Sequence, residues 1–86
     1  MGRYIDSING EPMGSSFIDK CKMIEKHGGV LDKGDEYKEN LVCVVDNGPF
    51  AAAGYADTPR EFDVFKHPDG RPRRWYVLPD ADKHAN

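Results

Sequence analysis

Residues 41–55, LVCVVDNGPFAAAGY, carry the clearest structural signal in the chain. Residues 41–45 are a continuous apolar run rich in β-branched side chains, too short for a helix and typical of a central strand covered on both sides. Residues 46–49, Asp-Asn-Gly-Pro, indicate a tight turn. Residues 50–55 then read as the returning strand of a hairpin, whose alanines and glycine suit the close approach of a helix or another backbone. A short helix is the competing interpretation of this last segment.

A first helix is predicted at residues 17–27, because apolar side chains recur there every three or four positions and charged side chains occupy the other face. Ser15 or Ser16 can cap its amino end. The glycine pair at residues 28–29 ends it, since glycine adopts the left-handed conformation without steric cost.

A second helix is predicted to begin at Thr58, which acts as its N-cap. Pro59 occupies the first helical position, and Glu61 is placed to accept a hydrogen bond from the amide of the cap. Phe62 begins the apolar face. The turn sequence at residues 67–70, His-Pro-Asp-Gly, ends the helix.

The remaining segments complete a sheet. Residues 3–8 are predicted to be a short strand, and residues 30–31 either a strand or a buried plug. Residues 32–40 hold six charged side chains among nine and predict a solvated loop or fraying turn. Residues 73–78 alternate in the manner of a strand. The sequence therefore predicts an α+β fold: an antiparallel sheet of three to four strands packed with one or two helices.

The composition fits one domain over residues 1–86, with residues 80–86 as a polar tail. The chain has 86 residues, 38% hydrophobic and 31% charged. So short a chain buries a small core, which favours binding at a surface over a deep catalytic cleft. No apolar stretch approaches the roughly 20 residues that span a bilayer, and residues 1–4 lack a signal peptide's apolar core. We expect a cytoplasmic protein with no membrane association, whose Cys21 and Cys43 are reduced thiols.

The charge distribution points to one segment. The net charge of −3 argues against a protein that mainly neutralises phosphate along a duplex. Residues 1–59 carry six basic and ten acidic side chains, whereas residues 60–78 carry five basic and three acidic ones. The segment at residues 71–76 interleaves arginines with aromatics, a combination that binds carboxylates or phosphates and recurs at protein interfaces. The predicted binding residues are Arg71, Arg73, Arg74, Trp75 and Tyr76.

This segment has other interpretations. It can be an edge strand whose arginines deter aggregation and whose Trp75 lies in the core. If it binds, the negative total charge favours a protein partner over nucleic acid or a nucleotide, which stays the alternative. The sequence also admits a homo-oligomer.

No residue pattern predicts catalysis, a metal site or a cofactor, and we expect a protein that is not an enzyme. Cys43 and Cys21 lie in apolar surroundings with no adjacent base, so both are interpreted as structural; a thiol enzyme based on Cys43 is a third hypothesis. Asp46 follows the central strand and is interpreted as a turn residue. The three histidines stand outside any zinc-ligand spacing: His27, His67 and His84.

Residues 40–50, NLVCVVDNGPF, together with residues 60–65, REFDVF, resemble small accessory proteins encoded by tailed bacteriophages. The resemblance covers about half the chain and includes no catalytic motif, so it assigns no functional residue. It implies a compact viral protein that binds, and can inhibit, a host enzyme or defence complex in the host cytoplasm.

Overall fold

In the computed structural model, residues 3–66 and 70–79 are described. These residues form two helices and seven strands, with the following bounds: β1 Arg3–Tyr4, β2 Ser7–Ile8, β3 Glu11–Pro12, α1 Phe17–Lys26, β4 Val30–Asp32, β5 Leu41–Asp46, β6 Ala51–Ala56, α2 Pro59–Lys66 and β7 Arg73–Val77. Both predicted helices and the central hairpin are present. The turn predicted at residues 67–70, apart from Gly70, and the polar tail at residues 80–86 lie outside the described residues.

The main sheet is antiparallel, with the strand order β1-β6-β5-β7-β4. Most of the sheet is formed by strands β6, β5, β7 and β4, and the two-residue strand β1 pairs with β6 at its edge. This arrangement confirms the predicted α+β fold with an antiparallel sheet and helices. Residues 51–56 form β6 and Phe50 lies in the bend before it, so the alternative short helix at residues 50–55 is wrong.

The segment at residues 3–8 differs from its prediction as one strand. After β1 the chain leaves the main sheet, and β2 pairs with β3 to form a separate hairpin. The reversal occurs at Asn9 and Gly10, which both have positive φ angles. One predicted strand is thus divided between two sheets.

Strand β5 is the centre of the molecule because it pairs along its length with β6 on one side and β7 on the other. Val42 lies opposite Tyr55 and Tyr76, and Cys43 lies opposite Gly54 and Trp75. Since successive side chains of a strand point to opposite faces, these two rows belong to different sides of the sheet.

Each side of the sheet carries its own apolar cluster under one helix. The α1 face packs against α1 and contains Ile8, Cys21, Ile24, Val42, Val44, Ala51, Ala53, Tyr55, Tyr76 and Leu78. The α2 face packs against α2 and contains Leu41, Cys43, Ala56, Phe62 and Trp75. The covering of both faces explains why the run at residues 41–45 is apolar throughout.

Helix α1 begins and ends as the sequence predicts. The Ser16 hydroxyl accepts a hydrogen bond from the Asp19 amide at 3.0 Å. At the other end, Gly28 has a φ of +91° and the Gly29 amide donates to the Ile24 carbonyl at 2.8 Å. Gly28 therefore closes the helix in the left-handed conformation.

The amino end of α2 is capped with one change of partner. The Thr58 hydroxyl accepts a hydrogen bond from the Glu61 amide at 3.1 Å, as predicted. The Glu61 carboxylate, however, accepts from the amide of Asp57 at 2.8 Å, one residue before the expected donor. The Glu61 carboxylate therefore still satisfies a part-buried amide of the chain that leads into the helix.

The charged segment at residues 32–40 is more ordered than a fraying loop. The Asp32 carboxylate accepts a hydrogen bond from the Gly34 amide at 2.8 Å and pairs with Lys38. Gly34 lies directly against the indole of Trp75. The segment thus covers a large apolar side chain that α2 leaves uncovered on that side.

The helices of the described residues are too short and too polar to cross a membrane.

Candidate functional site

Strand β7 separates the residues that the sequence groups together as a binding segment. Arg73 and Trp75 project on the α2 face, whereas Arg74 and Tyr76 project on the α1 face. Arg71 precedes the strand. No one surface can therefore present all five side chains.

Trp75 and Tyr76 are core residues, which corrects their prediction as contact residues. Trp75 is 6% exposed, with its ring centroid 5.1 Å from that of Phe62. Tyr76 is fully buried on the other face. The alternative that places Trp75 in the core is correct, but β7 is not an edge strand, because it pairs with both β5 and β4.

Arg74 is exposed, and its contacts tie β7 to α1. Its guanidinium carbon lies 5.4 Å from the ring centroid of Phe17, and its Nη1 donates to the Tyr76 hydroxyl at 3.4 Å. The Tyr76 hydroxyl donates in turn to Glu25 Oε2 at 2.6 Å. Burial, and then the bond to Glu25, raise the pKa of Tyr76. These contacts hold α1 against the main sheet, so Arg74 has a structural role.

Arg71 and Arg73, in contrast, reach one cleft of about 190 Å³ on the α2 face. Nη1 of Arg71 donates to Asn47 Oδ1 at 2.6 Å, and Nη1 of Arg73 donates to the carbonyl oxygen of Phe65. These two bonds position the guanidinium groups at the cleft. We call this feature the Arg71/Arg73 cleft.

The floor of the Arg71/Arg73 cleft follows from strand register. Val45 lies opposite Ala52 on one side and Arg73 on the other, and Gly54 lies opposite Tyr4. All five positions face the α2 side. With a methyl group at Ala52 and a hydrogen at Gly54, the sheet leaves a hollow that larger side chains would fill.

The walls of the cleft are apolar and partly exposed. Tyr4 from β1 is 70% exposed and Val64 from α2 is 61% exposed, while Phe65 is half-buried. Helix α2 has eight residues, about 12 Å of length, and Phe62 occupies the part of the face near Trp75. The helix therefore covers the Val45 end of the sheet only in part.

Two shallower hollows adjoin the cleft and extend the surface. One, of about 630 Å³, is lined by Asp46, Asn47, Gly48, the exposed Phe50 and Arg71. The other, of about 350 Å³, is lined by Arg73 and Leu31 among others. Guanidinium groups thus lie next to exposed apolar side chains along one end of the sheet.

The sequence-predicted binding residues Arg71 and Arg73 line the cleft, and Tyr4 and Val64, which also line it, were not among the predicted residues. Tyr4 joins the cleft only because β1 pairs with β6, a contact across about fifty residues of chain. Val64 lies on the exposed side of α2, and its local sequence does not indicate that it borders a cleft. The run of alanine and glycine in β6 was the one local signal, since it indicated close approach of another element at this face.

The thiols are enclosed. Cys43 is 1% exposed and Cys21 is 3% exposed. Burial raises the pKa of Cys21, which disfavours the reactive thiolate. Both residues therefore contribute packing to their respective faces.

The other polar candidates have structural partners. Asp46 accepts a hydrogen bond from the Gly48 amide at 3.0 Å, as a turn residue does. His27 Nε2 lies 3.0 Å from Glu11 Oε1, at the end of α1. Within residues 3–66 and 70–79, no three histidine, cysteine, aspartate or glutamate side chains gather as metal ligands would. His67 and His84 lie outside the described residues.

Comparison with protein-family models, with curated proteins and with solved structures found no match to this chain.

Proposed function

We propose that this chain is a non-enzymatic accessory protein, of the kind encoded by tailed bacteriophages, that binds and inhibits a host protein or defence complex. The observation that carries the proposal is the Arg71/Arg73 cleft, where two guanidinium groups lie beside the exposed side chains of Tyr4 and Val64. Arginine and aromatic anchors surrounded by apolar contacts are what protein interfaces use at their most energetic positions.

Binding suits the described residues better than chemistry does. A nucleophile needs a base within hydrogen-bond reach and access to substrate, yet both cysteines are buried. Asp46 is bonded within its own turn. The polar groups that do reach a cleft, Arg71, Arg73 and Asn47, are suited to holding an anion.

A protein partner is favoured over nucleic acid or a nucleotide, the alternative that uses the same arginines. Single-stranded nucleic acid is commonly held by bases stacked on exposed aromatic rings. Trp75 and Tyr76, the rings of residues 71–76 that were expected to stack, are enclosed in the two cores, whereas the exposed rings near the arginines are those of Tyr4 and Phe50. The net charge of −3 further opposes association with a polyanion.

The test is affinity purification of the tagged chain from bacterial cells, followed by identification of what co-purifies. Three forms are compared: the wild type, the double variant Arg71→Ala/Arg73→Ala, and the control Arg60→Ala. Arg60 is exposed at the start of α2 and is not among the residues that line the cleft. We expect one host protein to be retained by the wild type and the control and lost from the double variant.

Two results would contradict the proposal. Retention of the partner by a folded double variant would remove this surface from consideration. Binding to heparin and to DNA that weakens steeply as salt rises, with no protein retained, would favour the nucleic-acid alternative.

A further inference from the structure

We infer that strand β4 pairs edge to edge with β4 of a second copy of this chain, about a two-fold axis that places Leu31 opposite Leu31 of that copy. The pairing joins two five-stranded sheets into one continuous sheet. It goes beyond the proposed function and does not depend on the Arg71/Arg73 cleft.

The direction of the backbone groups of β4 follows from the hydrogen bonds of β7. The Leu78 amide donates to the Asn40 carbonyl at 3.0 Å. Bonded pairs alternate along an antiparallel ladder, so the backbone groups of Tyr76, two residues earlier, also point to β5. Leu31 lies opposite Tyr76, so the bonds between β4 and β7 are made by the neighbours of Leu31. The N–H and C=O of Leu31 therefore point outward from the edge of the sheet.

The side chains of β4 leave this edge open. Val30 is 67% exposed on the α2 face, and Leu31 is 64% exposed on the α1 face. Asp32 is the one charged residue of the strand, and its side chain is 9% exposed and pairs with Lys38. Exposed charges and prolines on an edge strand normally deter pairing with another chain. Strand β4 lacks both deterrents, and among the residues that the structure describes it pairs with β7 alone.

One two-fold register suits a second copy. With Leu31 opposite Leu31, the outward N–H of each copy donates to the outward C=O of the other, and the two exposed leucine side chains pack together. A register centred on Asp32 would set two carboxylates opposite each other. A register centred on Val30 would require the Gly29 amide, which already donates to the Ile24 carbonyl at 2.8 Å. The edge is thus complementary to itself at Leu31.

A second copy suits this edge better than the end of the same chain does. Residues 80–86, DADKHAN, lie outside the described residues, and their sequence contains no β-branched residue and no phenylalanine, tyrosine or tryptophan. Such a composition disfavours a strand. Leu31 of a second copy, in contrast, supplies an extended backbone and an apolar side chain at the required position.

The experiment measures self-association of the purified whole chain by sedimentation equilibrium and by ¹⁵N NMR over a range of protein concentrations. We expect a weak dimer with a dissociation constant on the order of 0.1–1 mM, because the contact buries little surface. The amide shifts of Val30 and Leu31 should change with concentration, and hydrogen exchange of the Leu31 amide should slow. The amide of Tyr4, at the opposite edge of the sheet, should stay constant.

Charged side chains at Leu31 test the register. Leu31→Lys and Leu31→Glu each set like charges opposite each other at the two-fold axis, so each variant alone should dimerise about tenfold more weakly or worse. An equimolar mixture of the two variants should associate again, because opposite charges then face each other across the strands. Ile18→Lys, at a residue 62% exposed in the first turn of α1, is the matched control and should dimerise as the wild type does.

Several results would overturn the inference: a wild type that stays monomeric at millimolar concentration, a dimer that Leu31→Lys leaves intact, or a mixture of folded variants that stays monomeric. Slow exchange of the Leu31 amide at every concentration would also overturn it, because the chain would then cover this edge itself. A host protein that is lost from Leu31→Lys, without self-association of the wild type, would assign the edge to another partner.

The wild-type measurement is decisive even where a variant fails to fold. The proposed function is tested separately, through variants of the cleft arginines, so either proposal can fail while the other stands.

Discussion

The hydroxyl of Tyr76 donates a hydrogen bond to Glu25 Oε2 at 2.6 Å, which joins strand β7 to the last turn of α1. Tyr76 is fully buried while Glu25 is exposed, so the contact links the interior of the sheet to the surface of the helix. Arg74 lies beside the same hydroxyl, so the Arg74 guanidinium, the Tyr76 phenol and the Glu25 carboxylate lie next to one another in space. The bond therefore fixes how α1 sits on the sheet.

Removing this hydroxyl should destabilise the fold. We expect Tyr76→Phe to lower the free energy of unfolding by about 1.5 kcal/mol, the lower end for a hydrogen bond to a charged group, because the exposed Glu25 regains water. Urea denaturation measures the change. Tyr4→Phe, which alters an exposed ring, is the matched control and should change little. An unchanged midpoint for Tyr76→Phe would show that the bond does not contribute.

The same residue predicts a loss of stability in alkali. The folded-state pKa of Tyr76 is raised above its ordinary value of 10.0, because burial and the bond to Glu25 favour the protonated phenol. Its contribution is fully present below the unfolded-state pKa and is lost as the pH rises toward and through the folded-state pKa. As the pH is raised from neutral into alkali, the melting temperature of the wild type should fall more steeply than that of Tyr76→Phe. Parallel curves would refute this assignment.

Glu11 predicts the opposite behaviour in acid. Hydrogen bonds from Lys26 and then His27 lower the pKa of the Glu11 carboxyl below its ordinary value of 4.5. The stability it contributes is present above that value and is lost as the pH falls through the lowered pKa. The melting temperature of Glu11→Gln should depend less on pH in this range than the melting temperature of the wild type. Glu39→Gln, at an exposed glutamate, controls for the loss of one negative charge.

The contact between Gly34 and Trp75 can be tested with a pair of glycines. Gly34 and Gly48 both have positive φ angles, +71° and +96°, so alanine at either costs about 1–2 kcal/mol of backbone strain. A side chain at Gly34 would also overlap the indole of Trp75, whereas one at Gly48 would meet no described atom within 4 Å. We expect Gly34→Ala to cost a further 1–3 kcal/mol or so.

Chemical denaturation measures the free energy of unfolding of both glycine variants. The fluorescence of Trp75, the one tryptophan of the chain, reports on how the loop around Gly34 covers its indole. The emission should shift in Gly34→Ala and stay unchanged in Gly48→Ala. Equal losses of stability with equal spectra would mean that the loop does not press on the indole.

The two cysteines should be protected in the native protein. Cys21 and Cys43 are enclosed on opposite faces of the sheet, so a thiol reagent should react with either only when the structure opens. We expect slow labelling in buffer and rapid labelling of both thiols in denaturant. Rapid labelling of Cys43 in the folded chain would instead revive the hypothesis of a thiol enzyme.

Local patterns were enough to predict the elements of the fold. The β-branched run at residues 41–45, the serine cap of α1 and the Thr58-Pro59 start of α2 each depend on neighbouring residues, and each appears where expected. The split of residues 3–8 could not be predicted in the same way. Tyr4 joins the main sheet by pairing with Gly54, about fifty residues away, whereas Ile8 pairs with Glu11, three residues away. Alternation along the chain does not reveal these partners.

The same limit applies to the candidate site. Alternation correctly placed Arg73 with Trp75 and Arg74 with Tyr76, but a basic and aromatic composition was taken to mean exposure. Burial of the two rings depends on the helix above each face and on the loop around Gly34, none of which residues 71–76 encode. Tyr4 reaches the cleft through tertiary pairing alone.

The position of β7 bears on how the protein is made. Among the residues that the structure describes, strand β4 is bonded to the sheet through β7 alone, so residues 30–32 emerge from the ribosome long before the strand that holds them. The β5–β6 hairpin can form early from neighbouring residues, whereas enclosure of Trp75 and Tyr76 must wait until residues 73–77 are synthesised. A nascent chain halted before that strand would expose Val42 and Cys43 along an open edge, the kind of surface on which chaperones and aggregation compete.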